Sequence, residues 1–90
     1  MPPRQRSIQR ASPAVRSVER CVDILDLLAA SPRALNLSEI SRGVAAPKST
    51  VLTILRTLVG RRLVGIDEGR KLYALGLGVA RWAGGAPRVD

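Results

Sequence analysis

The apolar residues of this chain change their spacing once, close to Arg62. Before it they recur every three or four residues, as on one face of a helix. After it the pattern moves toward strict alternation, as in a strand. Two strands alone are marginally stable, so a hairpin at this place must lean on the helices that precede it. With 90 residues the chain has room for one domain. The expected fold class is therefore mainly α with a small β-hairpin.

The first helical stretch follows Ser17. Val18, Cys21, Val22, Leu25 and Leu28 keep helical spacing, while Glu19, Arg20, Asp23 and Asp26 take other positions. Ser17 is the expected N-cap, and Glu19 falls in the first turn, where the helix dipole favours an anion. Ser31-Pro32 closes the helix near Ala30. Cys21 lies on the apolar stripe and reads as a buried, inert thiol. Asp23 and Asp26 read as a solvated face, since no second acidic cluster and no metal-ligand spacing accompanies them.

Asn36-Leu37-Ser38-Glu39 has the form of a capping box, with Asn36 as N-cap and Glu39 reaching back from N3. Leu35 and Ile40 stand where a hydrophobic staple places its two members. This second helix should run to about Gly43. Val44-Ala45-Ala46 then makes a brief turn, and Pro47 suits the first position of a third helix. Val51, Ile54, Leu55 and Leu58 form the buried stripe of that helix, which should end near Gly60-Arg61. Ser49, Thr50, Thr53, Arg56 and Thr57 fall largely on its other side.

The alternating stretch reads as a strand at Leu63-Val64-Gly65-Ile66-Asp67, a turn at Glu68-Gly69-Arg70, and a partner strand at Lys71-Leu72-Tyr73-Ala74-Leu75. The chain then divides into a disordered basic arm at residues 1–16, the folded domain at 17–76, and a tail at 77–90 that begins a linker helix. The arm carries four arginines and no acid, with three prolines. It is either a solvated segment or one that touches DNA phosphates or a minor groove. Trp82 either caps the domain's own core or, with the rest of Leu77 to Trp82 and the first helix, meets a second copy. No stretch approaches the run of about 18 uncharged apolar residues that a membrane span requires.

Composition narrows the chemistry. There is no histidine and one cysteine, so no imidazole base, no histidine-anchored zinc and no internal disulfide is available. The chain is expected to be no enzyme and to need no cofactor or metal. Fifteen basic residues against seven acidic ones give a net charge of +8, which calls for a polyanionic partner. Four of those charges sit in the first sixteen residues. Five more basic residues and no acid lie between Arg42 and Arg62, whereas residues 17–30 hold three acids and one arginine.

Helix, short helix, tight turn, longer helix and hairpin, in that order, spell a winged helix-turn-helix. A helix entering the major groove needs small polar side chains near its start, so that the backbone approaches base edges. Lys48, Ser49, Thr50 and Thr53 supply them and are the expected base-reading set. Arg42, Arg56 and the hairpin-tip pair Arg70 and Lys71 are the expected phosphate contacts, the last two also being consistent with a solvated turn. With Pro47 as the first helical residue, Ala46 becomes an N-cap without a capping side chain. A DNA phosphate then completes that helix end.

Ser17-Val18-Glu19-Arg20 with Asp23-Ile24-Leu25, Leu37-Ser38-Glu39-Ile40, Pro47-Lys48-Ser49-Thr50-Val51, Leu55-Arg56-Thr57-Leu58 and Tyr73-Ala74-Leu75-Gly76 together resemble the DNA-binding domain of IclR-type bacterial transcription regulators. The resemblance covers roughly residues 17 to 82. It implies a bacterial, cytoplasmic, nucleoid-associated protein that binds a double-stranded DNA operator as a homo-dimer or tetramer. It also implies a larger C-terminal effector-binding domain, which is expected to be absent from this chain. Five positions depart from the family pattern. Ala45 stands where a glycine is usual, and Ala46 where a larger apolar residue is. Leu52 and Thr53 replace an aromatic or histidine followed by arginine, and Gly60 replaces a helix former. If residue 45 takes a positive φ, alanine there costs on the order of 1 kcal/mol. Two other function classes remain open at this stage. One is a winged helix used for protein contact, or as a co-regulator without its own operator. The other is non-specific RNA binding, against which the single Trp82 and single Tyr73 count.

Overall fold

The computed structural model describes residues 13–89, with side chains from Val15 onward. Three helices, α1 (Pro13–Ala30), α2 (Leu37–Val44) and α3 (Lys48–Gly60), precede two strands, β1 (Val64–Asp67) and β2 (Leu72–Leu75), and a final 3-10 segment, Leu77–Trp82. The strands pair antiparallel with Val64 opposite Leu75 and Ile66 opposite Tyr73. This is a winged helix-turn-helix, as expected.

Helix α1 departs from the sequence reading at its start and in its buried face. It begins at Pro13, whose fixed φ suits a first turn, so Ser17 lies inside the helix rather than at its N-cap. Residues 1–12 of the expected arm lie outside the described residues; the other four are helical. Val18 and Val22 were expected to be buried, yet they are 64% and 49% exposed. Leu28 is in the core as expected, with Cys21 and Leu25 packed against it, and Ile24 and Leu27, outside the expected stripe, join them. The reason is tertiary: α1 packs against α2, α3 and β2 through the face that carries Cys21, Ile24, Leu25 and Leu28, and Val18 and Val22 are left outside that contact.

The capping box at α2 forms as read. The Asn36 side chain accepts from the Glu39 amide at 2.8 Å, and the Glu39 carboxylate accepts from the Asn36 amide at 2.9 Å. Leu35 and Ile40, the staple pair, are both buried. Leu35 does more than staple. Its backbone exchanges two hydrogen bonds with Tyr73, at 2.9 and 2.7 Å, so the segment before α2 joins the edge of β2. That bridge is a long-range pairing with no local signal in the sequence.

The turn between α2 and α3 resolves the Ala45 question. Ala45 sits in the left-handed region at φ 55, and the Ala46 amide donates to the Ser41 carbonyl at 3.1 Å, a Schellman-type close. The Ser41 hydroxyl donates to the Ala46 carbonyl across the same turn. Gly43, two residues earlier, is used differently: a Cβ there would lie 2.8 Å from a methyl of Leu27. Glycine thus serves the close packing of α1 on α2, while alanine bears the strained backbone position.

Helix α3 starts one residue later than expected, with Pro47 as its N-cap at φ −60 and ψ 146 rather than as its first residue. Its ψ leaves it extended, so Ala46 is not the cap. Ala46 is buried in the core. Val51, Leu55 and Leu58 form the buried stripe, with Ile54 beside it. Trp82 does not cap the core: it is 56% exposed and Leu77 94%, and the tail packs against the core through Val79 instead.

Candidate nucleic-acid interface

Helix α3 carries no acidic residue. Its outward face holds Ser49, Thr53 and Arg56, spaced four and three residues apart and all exposed. Lys48, the first helical residue, is exposed as well, whereas Thr50 is half-buried on the flank of the row. The Thr53 hydroxyl donates to the Ser49 carbonyl at 3.0 Å, which leaves its oxygen free to accept. No side chain caps the helix start, where the Pro47 carbonyl accepts from the Val51 amide at 3.0 Å.

The hairpin turn spans Glu68 to Lys71. Asp67 builds it, its Oδ1 accepting from the amides of Gly69 and Arg70 at 3.1 Å each, while its carbonyl accepts from the Lys71 amide at 2.7 Å. Lys71 is left in the left-handed region at φ 58. It thus belongs to the turn and not to the second strand, as the alternation had suggested. Arg62 has the same backbone conformation at φ 65, where the chain leaves α3 for β1. The carbonyl of Arg62 then accepts from the Gly78 amide at 2.8 Å, docking the tail on the base of the hairpin.

A groove of about 590 Å³ runs between the start of α2, the flank of α3 and the hairpin. Leu52, Val59, Ile66 and Tyr73 give it an apolar floor, and Arg56, Lys71 and Glu68 are its charged members. Of the eight expected contact residues, the groove brings together two, Arg56 and Lys71. Lys48, Ser49, Thr50 and Thr53 share the N-terminal half of α3. Arg42, exposed in the last turn of α2, and Arg70, exposed in the hairpin turn, do not line the groove. Sequence reasoning missed Asn36, Ser38, Leu52 and Glu68 as groove residues. Leu52 precedes Arg56 by four positions and was recoverable from helical spacing. Asn36 and Ser38 arrive there through the Leu35–Tyr73 bridge and were not.

The start of α2 is fixed electrostatically. Arg33 reaches Glu39 with both ends of its guanidinium, at 2.7 and 3.3 Å. Its hydrogen bond, followed by that from the Asn36 amide, holds the Glu39 carboxyl at about 2. Burial pushes the Cys21 thiol upward, consistent with an unreactive packing residue. Among the described residues no cluster of His, Cys, Asp and Glu is arranged to hold a metal ion. No helix among them is long and apolar enough to cross a membrane.

Comparison with known proteins agrees with this geometry. Residues 17–68 match the IclR helix-turn-helix domain. The chain is 37% identical over 67 residues to the glycerol operon regulatory protein of Streptomyces coelicolor, an alignment covering 74% of this chain and 26% of that protein. Among solved structures, the IclR transcriptional regulator of Alicyclobacillus acidocaldarius superposes with a TM-score of 0.71 at 31% identity, over 74% of this chain and 27% of its own. The repressor BlcR of Agobacterium tumefaciens gives 0.69 at 33% identity, over 80% and 29%. The chain therefore spans between a quarter and a third of the length of these relatives.

Proposed function

The chain belongs to the IclR family of helix-turn-helix regulators, and from that premise we propose that it binds operator DNA through α3 and the wing and so regulates transcription. The observation that carries this reading is the exposed, acid-free row of Ser49, Thr53 and Arg56, beside a wing whose turn holds Arg70 and Lys71. Small hydroxyl side chains let a helix backbone approach base edges closely. Ser49, Thr53, Thr50 and Lys48 read the bases. Thr53 accepts from a base amino group, since its own proton is engaged by Ser49. Arg42, Arg56, Arg70 and Lys71 hold phosphates, and a further phosphate completes the uncapped start of α3.

A single domain of this kind reads a half-site, so two copies related by a two-fold axis serve one operator. The exposed Val15, Val18 and Val22 of α1, together with Leu77 and Trp82, offer apolar surface for that pairing. The working compartment is the bacterial cytoplasm.

Sites selected from a pool of random-sequence duplexes, followed by titration across a salt series, test the proposal. Each phosphate contact contributes about −0.9 to the slope of log affinity against log salt. Equal affinity for selected and unselected duplexes, unchanged by Thr50→Ala and Thr53→Ala, would overturn it.

A further inference from the structure

We propose that Glu68 is a built-in competitor of the DNA backbone: it stands in the groove between α3 and the wing in the free protein, pairs with Lys71 and so weakens the hold on every duplex. This rests on the DNA-binding reading above.

Among the described residues Glu68 is the one acid lining the groove, where it stands with Arg56 and Lys71. Its Oε1 lies 3.7 Å from the Lys71 ammonium. The neighbouring acid, Asp67, is committed to the turn through its two amide hydrogen bonds. Lys71 is the contact the structure gives to the Glu68 carboxylate. Lys71 itself occupies a left-handed backbone position that glycine fills without strain, so the turn places a cation there against local preference.

A backbone phosphate entering this groove meets two cations and one carboxylate. Both members of the Glu68–Lys71 pair are about three-quarters exposed, so the pair is weak and a phosphate displaces it. The competition of Glu68 for Lys71 is the same for every sequence. It lowers the affinity for every duplex alike, so only those with good base contacts to α3 stay bound at a given protein concentration. Glu68 thereby sets the overall hold on DNA and leaves the ratio between sequences to α3.

The test is fluorescence anisotropy of a labelled random-sequence duplex with the 90-residue chain and with Glu68→Gln, Lys71→Gln and the double variant, across a salt series. Glu68→Gln should tighten binding about three- to fivefold at low salt. Its log–log salt slope should become more negative by up to about 0.9, as Lys71 is released to phosphate. In the Lys71→Gln background the gain should shrink to less than half on a logarithmic scale, and the melting temperature of Glu68→Gln should match that of the unaltered chain. If the unaltered chain binds and Glu68→Gln changes neither affinity nor slope, the proposal fails while DNA binding stands. An equal gain in both backgrounds would also overturn it, since that is a bulk charge effect. If neither form binds at any salt, the DNA-binding reading itself fails, and this inference with it.

Discussion

The carbonyl oxygen of Arg62 occupies the space that a Cβ on Gly78 would need: the two would lie 2.5 Å apart. The same oxygen accepts from the Gly78 amide at 2.8 Å, and a Cβ on Gly76 would meet it at 2.5 Å as well. The tail thus leaves the wing at a fixed place because two glycines let it lie against the end of α3.

Gly78→Ala should therefore destabilise the domain by about 2–3 kcal/mol, because the obstacle is backbone and does not move aside. Gly60→Ala, at the end of α3 where nothing stands within 4 Å, should instead stabilise by about 0.5 kcal/mol. Denaturant unfolding of the two variants checks both signs.

Relief of the left-handed positions should raise stability. Ala45→Gly and Arg62→Gly are each expected to gain about 0.5–1 kcal/mol, since both side chains are exposed at positive φ. The two sites lie in separate turns, before and after α3, so thermal melts of the double variant should show additive gains.

The Arg33–Glu39 pair makes stability depend on acid. Glu39 is held at about 2 in the folded chain against an ordinary 4.5, so its contribution is complete above the unfolded value. That contribution is lost as the pH falls through the interval toward 2. Glu39→Gln should flatten the urea midpoint over that interval, and Arg33→Gln should flatten most of it.

DNA binding should separate charge from reading. Arg56→Ala is expected to reduce the salt slope by about 0.9 with little change in sequence preference. Thr53→Ala should leave the slope unchanged and cost about 1–3 kcal/mol of discrimination at one base position. Thr53, on the outer row, should matter more than the half-buried Thr50. Titrations of a selected and a scrambled duplex distinguish these outcomes.

Much of the scaffold was legible because its signals are local. The capping box of Asn36 and Glu39 acts over three residues, and it formed as spelled. The stripe of α3 followed from spacing, and so did the change of period that marks the wing. The placement of contact residues was less legible. Arg56 and Lys71 line one groove, yet fifteen positions separate them, and only the packing of β1 on α3 brings them together.

Sequence alone determined the order of elements, the capping box of α2 and the concentration of cations on the side of α3 and the wing, since propensity, capping and net charge depend on near neighbours. Tertiary structure decided the rest. It buried Ile24 and left Val18 and Val22 exposed, because α2, α3 and β2 pack on the face of α1 that carries Ile24 and Leu28. It joined Leu35 to Tyr73, and it forced Ala45, Arg62 and Lys71 into a backbone conformation that none of them prefers. A residue's spacing shows which face it shares, but only the neighbouring elements settle whether that face meets protein, water or DNA.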